Sequence, residues 1–355
     1  MVSAQRLASR SPVPGSILSR MQSLLPTALT AVAQACQIAR HIQQHIKSSK
    51  GIQKSDNSPV TIADFAVQAV VVHGLIASLG SVLIAAEECS RLLRGSEQAV
   101  RDAVIQAVRS SWKDATEDEV LAAIDTGSHD ATASAYWTLD PIDGTKGFLR
   151  GEQYAISLAY IERGRVLVGV MGCPNLSADF NRPFSDPDPS GLIYFATCGG
   201  GSWVTEAIDP WGQTVTVKPA PFDSPQTPLR ICESVEPAHS KHPAMTRVIQ
   251  ALGDCSQPMR LDSQCKYAVV ARGQADAYLR LPTRPDYVEN IWDHAAGMLI
   301  AIEAGMMVTD IDGLPLDFSQ GRKLSRNRGI VCASPRYHGR IIEVIKQLDA
   351  LKQIS

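Results

Sequence analysis

Leu139-Asp140-Pro141-Ile142-Asp143-Gly144-Thr145 follows directly on Tyr136-Trp137-Thr138, a short apolar run. The run predicts a strand from Tyr136 to Leu139 that delivers Asp140 at its end. Pro141 fixes φ and Gly144 permits a backbone angle closed to most residues, so the turn can aim both carboxylates and the Ile142 carbonyl at one point. Hard divalent cations take ligands of this kind, carboxylate and carbonyl oxygen together. The thiolates and imidazoles of a zinc site are missing from the stretch.

Four further acids stand at the ends of regular segments. Asp64 lies in Ser58-Pro-Val-Thr-Ile-Ala-Asp64, Glu87 and Glu88 close the apolar run Val82–Ala86, and Asp293 stands with Trp292 at the start of an expected helix. A lone D-x-x-D is ordinary turn chemistry; the clusters carry weight only together. Converging carboxylates repel one another unless cations neutralise them. Mg²⁺ combines a few protein oxygens with those of a phosphate, and a pair of such ions can activate water and stabilise a leaving oxygen. The pattern therefore points to hydrolysis of a phosphoester.

The surrounding chain reads as two differently built parts. Leu29, Val32, Cys36, Ala39, Ile42 and Ile46 form one apolar stripe of a helix over 26–47, with Pro26 in its first turn. His41 and His45 are four apart on it, with no third ligand near, and read as ordinary polar positions of that helix. Helices are expected over 61–79 and 90–111, and from the Thr116/Glu119 capping box to Ile124. Runs 155–161 and 166–171 are joined by Glu162-Arg163-Gly164-Arg165, a hairpin signal, and 192–198 and 203–206 flank three glycines. Residues 219–228 contain four prolines and read as a linker. Strands over 229–233, 258–261, 275–281, 306–310 and 329–333 then alternate with helices over 243–252, 264–272, 292–304 and 336–352. The expected division is an N-terminal extension (1–21), an α+β part (22–218) and an α/β part (229–355), stacked as layers in an α/β fold.

With 355 residues, 45% of them hydrophobic, the chain can bury a large core. The formal net charge of −2 excludes a global basic field for nucleic-acid polymers or acidic membranes, so an anionic substrate must be held by local charge or bound cations. Eight scattered cysteines without a CxxC pair read as free thiols of a reducing compartment. No apolar run approaches the roughly 20 residues of a spanning helix. The expectation is a monomer in the cytoplasm. The basic, Ser-rich start, acid-free until Asp56, is also compatible with a mitochondrial or plastid transit peptide.

At its acidic motifs the chain closely resembles the lithium-sensitive phosphatase superfamily of the inositol monophosphatases. The paired acids after a strand, D-P-I-D-G-T and W-D occur in order, and the resemblance runs from about residue 25 to the C-terminus. The stretches Asp140–Gln153, Asp56–Thr61, Leu261–Tyr267 and Tyr278–Pro282 are most similar to the 3′(2′),5′-bisphosphate nucleotidases. The resemblance implies a layered α-β-α-β-α sandwich and hydrolysis of the 3′-phosphate of a small nucleotide, adenosine 3′,5′-bisphosphate or 3′-phosphoadenylyl sulfate. An inositol polyphosphate 1-phosphatase and a non-catalytic nucleotide sensor are the alternatives. It implies that Glu87, Asp140 and the Ile142 carbonyl hold one Mg²⁺ and that Asp140, Asp143 and Asp293 hold a second, with room for a third. Asp64 and Thr145 would orient and deprotonate the attacking water. Thr145, His239, Ser263, Lys266, Arg280 and Tyr287 would contact the substrate. Inhibition by Li⁺ is implied as well. The superfamily commonly has Gly where this chain has Ala86, a difference that matters only if φ there is positive.

Overall fold

The computed structural model describes residues 15–45, 52–53, 59–219, 228–235, 242–282, 284 and 286–352. Helix α1 (Gly15–His45) is followed by the antiparallel pair β1 (Ile52–Gln53) and β2 (Pro59–Val60), and by α2 (Ile62–Leu79). Then come β3 (Ile84–Ala86), α3 (Ser90–Arg94), α4 (Gln98–Val108), α5 (Glu117–Thr126), β4 (Ala135–Asp143) and α6 (Thr145–Arg150). Strands β5 (Ala155–Glu162), β6 (Arg165–Cys173), β7 (Leu192–Thr197), β8 (Gly201–Glu206) and β9 (Val215–Thr216) complete a seven-stranded sheet in the order β3-β4-β5-β6-β7-β8-β9. The C-terminal part runs β10 (Ile231–Glu233), α7 (His242–Leu252), β11 (Met259–Arg260), α8 (Cys265–Ala271), β12 (Ala277–Arg280), α9 (Ala295–Glu303), β13 (Met307–Thr309), β14 (Ile330–Ala333) and α10 (Pro335–Lys352). Its sheet is mixed, in the order β11-β10-β12-β14-β13.

The layers follow from which faces are apolar. Strand β5 is buried at every position but the last, so helices must cover both faces of the first sheet. Helices α1 and α2 pack on one face and α9 on the other; α8 and α9 also meet the second sheet, whose outer face carries α7 and α10. This is the expected α-β-α-β-α sandwich. At Gly172 a side chain would collide with Cys36 of α1, so the absent Cβ sets how closely helix and sheet approach. One apolar core joins both sheets, and a smaller one, including Ile231, Val248, Leu279, Val331 and Ile341, lies under α7 and α10.

Several expectations are corrected. Helix α1 starts at Gly15, so residues 15–21 belong to it rather than to an extension, and Pro26 lies inside it. Burial of Met21 and Leu24 (2% and 8% exposed) holds the turns before Pro26, and Thr30 Oγ1 donates to the Pro26 carbonyl at 2.9 Å. The helix expected over 90–111 breaks at Gly95–Glu97 into α3 and α4. Helix α6 and strand β9 were not anticipated. The Thr116/Glu119 capping box is present, and Arg163 and Gly164, both at positive φ (51° and 72°), make the hairpin turn. Ala86 is not among the residues with positive φ, so its Cβ costs nothing there. By length and composition α2 could cross a membrane, the one described helix that could. The fold instead buries it in the core, polar Asp64 and Gln68 included. The eight cysteines are all free, six of them buried.

Candidate active site

Parallel pairing of β3 with β4 sets Ala86 opposite Leu139, and the Glu87 N–H donates to the Leu139 carbonyl at 3.1 Å. Glu87 and Asp140 therefore leave neighbouring strands side by side. Behind them Gln68 of α2 clamps the acid pair. Its Nε2 donates to the Glu88 carbonyl and to Ile124 O, each at 2.8 Å, and its Oε1 accepts from Glu88 N at 3.1 Å. Strand β4 runs on past Leu139, but its pairing with β5 shifts between Asp140 and Asp143. The bulge places Pro141 and Ile142 in the gap and re-aims the residues around them.

Gly144 follows with φ 86°, and a Cβ there would lie 3.0 Å from the Ser263 Cβ. Both conditions demand glycine. Ser263 itself holds φ 69°, a left-handed angle that costs a non-glycine residue energy and persists because the loop is packed against Gly144. Next to it the Gln264 N–H donates to Asp143 Oδ2 at 2.5 Å. The Gln264 side chain donates to the Trp292 carbonyl at 2.8 Å and accepts from Gly297 N at 3.2 Å. The turn carrying Asp143 is thereby tied to the segment carrying Asp293. Asp293 precedes α9, whose N-cap is His294, rather than opening the helix; Asn290 Nδ2 donates to its Oδ2 at 3.3 Å. Asp64 sits in the first turn of α2, where its Oδ2 accepts from Thr61 N at 2.7 Å and Thr61 Oγ1 at 2.6 Å.

These acids lie close enough to raise one another's carboxyls. Burial, then Glu87, Asp143, Asp293 and Asp64, hold the Asp140 carboxyl well above the usual carboxylate range. Asp143 is pushed up to about 7 by burial and Asp293, against the pull of Lys266, the Gln264 N–H and Arg280. Burial also raises Asp293, against Arg280 and His294, with Glu87 adding to the rise. Asp140 Oδ1 is buried without a hydrogen-bond partner. A buried carboxylate oxygen without a donor, among acids that repel it, is costly in a protein alone and fits a cation ligand. All the converging donors are oxygens, which suits Mg²⁺. Glu289, Asp293 and His294 also bring ligand atoms within 4.8 Å of one another. Two of that trio are engaged elsewhere. Glu289 takes Arg280 at 2.9 and 2.8 Å, and His294 lies 3.2 Å from Glu289 and 3.0 Å from the Tyr267 hydroxyl. Burial opposes the Glu289 charge, yet Arg280 and His294 hold its carboxyl at about 2.

Thr145 opens α6 with its hydroxyl donating to the Ile142 carbonyl at 3.2 Å. Lys266 is 2% exposed, its Nζ donating to Leu261 O at 3.3 Å and lying 5.2 Å from the Tyr278 ring centre. Burial lowers its pKa, while Asp143 and Asp262 pull it back up. Arg280 is gripped by Glu289 and donates to the Tyr287 hydroxyl at 3.0 Å. His239, and residues 56–58 of the Asp56–Thr61 stretch, lie outside the described residues. Gln68, Gln264, Glu289 and Arg322, which buttress the acids or the basic residues, were not singled out from sequence. Gln264 lay inside a quoted motif, but a glutamine beside Ser263 gives no sign of its distant partners.

The inositol monophosphatase family profile matches residues 20–350, and the chain belongs to that family of metal-dependent phosphatases. The 3′(2′),5′-bisphosphate nucleotidase of Schizosaccharomyces pombe is 39% identical over 331 residues, covering 89% of this chain and 93% of its own. The relative of the same name from Emericella nidulans is 39% identical over 325 residues, covering 85% and 92%. The Thermotoga maritima IMPase shares the fold, with a TM-score of 0.63 at 19% identity over 93% of this chain and 99% of that one.

Proposed function

We propose that this phosphatase removes the 3′-phosphate of adenosine 3′,5′-bisphosphate, yielding AMP and phosphate, and acts likewise on 3′-phosphoadenylyl sulfate. The observation that carries the reading is the meeting of Glu87, Asp143, Asp293 and Asp64 on Asp140, whose Oδ1 is buried and unpartnered. Glu87, Asp140 and the Ile142 carbonyl would hold one Mg²⁺, and Asp140, Asp143 and Asp293 a second, with a third beside them. When bound, the ions supply neutralisation of phosphate charge and Lewis-acid activation of water and leaving oxygen.

The chain's own groups do the rest. Asp64, fixed by Thr61, accepts the proton of the attacking water. The Thr145 hydroxyl spends its proton on the Ile142 carbonyl, so its oxygen faces water as an acceptor and orients it. Lys266, buried beside Asp143, offers the 5′-phosphate positive charge that a chain of net charge −2 does not supply globally. Glu289 and Tyr287 hold Arg280 rigid, and Ser263 presents its hydroxyl from the loop against Gly144. His239 would complete the substrate contacts. The names of the relatives from S. pombe and E. nidulans support the choice of substrate.

The test is phosphate release from adenosine 3′,5′-bisphosphate with and without Mg²⁺, then with Li⁺ added, beside an inositol polyphosphate. Release that ignores Mg²⁺, or turnover confined to the inositol compound, would end this reading.

A further inference from the structure

The carboxylates come from two separate places in the fold. Glu87 leaves β3 at the edge of the first sheet, and Asp293 leaves the segment before α9. One side chain touches the supports of both. Arg322 Nη2 donates to the carbonyl of Ala86, the residue before Glu87. Its Nη1 donates to Gly127 O at 3.2 Å and His129 O at 2.8 Å, in the turn whose Gly127 carbonyl accepts from Ala86 N at 2.8 Å. The guanidinium carbon lies 4.6 Å from the centre of the Trp292 ring, the residue before Asp293. The backbone repeats the link, since the Arg322 carbonyl accepts from Ile291 N at 3.1 Å and Leu324 N donates to Glu289 O at 2.9 Å.

Only a guanidinium can do all this, with in-plane donors for three carbonyls and a flat face for a ring. None of its hydrogen bonds goes to an acid of the site. We propose that Arg322 is a positioning residue that sets the separation of Glu87 and Asp293, and through it the affinity of the site for divalent cations. The inference rests on the reading of these carboxylates as a Mg²⁺ site.

The experiment counts bound Mn²⁺, a paramagnetic stand-in for Mg²⁺, by electron paramagnetic resonance in the full chain, in Arg322→Met and in Arg322→Lys. Thermal midpoints without metal and the nucleotide KM and kcat at saturating Mg²⁺ are measured in parallel. Arg322→Met should weaken cation binding about 10- to 100-fold, the range found when outer partners of metal ligands are removed. Arg322→Lys, which keeps charge but loses the fork and the stacking, should fall between. The KM for the nucleotide should change less than about two-fold, because Arg322 is not placed against substrate. Folded variants that bind Mn²⁺ as the unaltered chain does would overturn the proposal. So would two variants that both fail to fold, since Arg322 would then be structural; if only Arg322→Met fails, Arg322→Lys decides by the same criterion. If the unaltered chain binds no Mn²⁺, the Mg²⁺-site reading itself fails and takes the proposal with it.

Discussion

Glu87 and Asp140 stand side by side because each follows one member of a registered pair, Ala86 and Leu139, on parallel strands. The parallel pairing is local to β3 and β4; the other neighbours in that sheet are antiparallel. Two acids brought out together at one edge repel each other, and with burial this holds the Asp140 carboxyl above its usual range.

Asp140→Asn is therefore expected to stabilise the metal-free protein while destroying its activity. The substitution removes a charge that burial and four other acids disfavour. A gain of about 1 to 3 kcal/mol, a few degrees in Tm, is the expected order for relieving such a group. Thermal unfolding without metal, repeated with Mg²⁺, tests this together with a phosphate-release assay. A lower Tm without metal, or Mg²⁺-dependent turnover near the unaltered rate, would contradict it.

Gln264→Leu should cost stability and activity together. The amide side chain is 3% exposed and satisfies both the Trp292 carbonyl and the Gly297 N–H. Leucine fills the volume but leaves two buried polar groups unmatched, at about 2 to 4 kcal/mol in total. Denaturant unfolding reads the loss. Because the Gln264 N–H holds Asp143 while its side chain holds the Trp292 carbonyl, losing the amide frees the loop that carries the Asp143 contact, and the Mg²⁺ concentration for half-maximal activity should rise as well. A Gln264→Leu protein as stable as the parent would show that water replaces the amide.

Local patterns made much of this molecule legible before any coordinates. Strand β4 shows as an apolar run ending on acids, the β5–β6 turn as Arg163-Gly164, and α5 as Thr116 with Glu119. Each is encoded within a few residues. What escaped is encoded across the fold. The first turns of α1 are serine-rich and are held by burying Met21 and Leu24, which shows no clear period. Gln264 and Asp143 are 121 residues apart, and Arg322 and Ala86 are 236. Their partners are mostly backbone groups, which carry no side-chain signature. The acids that surround Asp140 stand out in the sequence because each lies in a short marked stretch, at the end of a strand for Glu87 and Asp140 and beside the start of a helix for Asp64 and Asp293. Their supports do not, because a glutamine or arginine on a loop looks like any other.

Lys266→Met should separate substrates by their 5′-phosphate. Lys266 is buried and aliphatic along its stem, so methionine replaces its volume at little cost in packing. Losing the ammonium should weaken a nucleotide bearing both phosphates by about 10- to 100-fold in kcat/KM, the order of one charge-assisted contact at a desolvated site. Adenosine 3′-monophosphate, which lacks the 5′-phosphate, should be affected far less. Equal losses on the two substrates would place Lys266 at the reacting phosphate or in the scaffold instead.

His338 should give the fold an acid-sensitive slope of its own. It lies in α10, 4% exposed, with Nε2 at 2.9 Å from Thr309 Oγ1 in the loop-side end of β13. Burial pulls its pKa below the ordinary histidine value of 6.5. Above pH 6.5 neither the folded nor the unfolded chain carries this proton, and the residue adds nothing to the pH dependence. Below it the unfolded chain takes up a proton that the folded chain refuses. Stability is then lost as the pH falls through the window between 6.5 and the depressed folded value. His338→Gln keeps a hydrogen-bonding group at the Thr309 hydroxyl but cannot titrate, so its unfolding free energy should fall less between pH 7.5 and 5.5 than that of the unaltered protein. Denaturant melts of both proteins at those two pH values, with Mg²⁺ held constant, measure the difference. Identical slopes would mean that the imidazole is protonated in the folded chain as readily as in water.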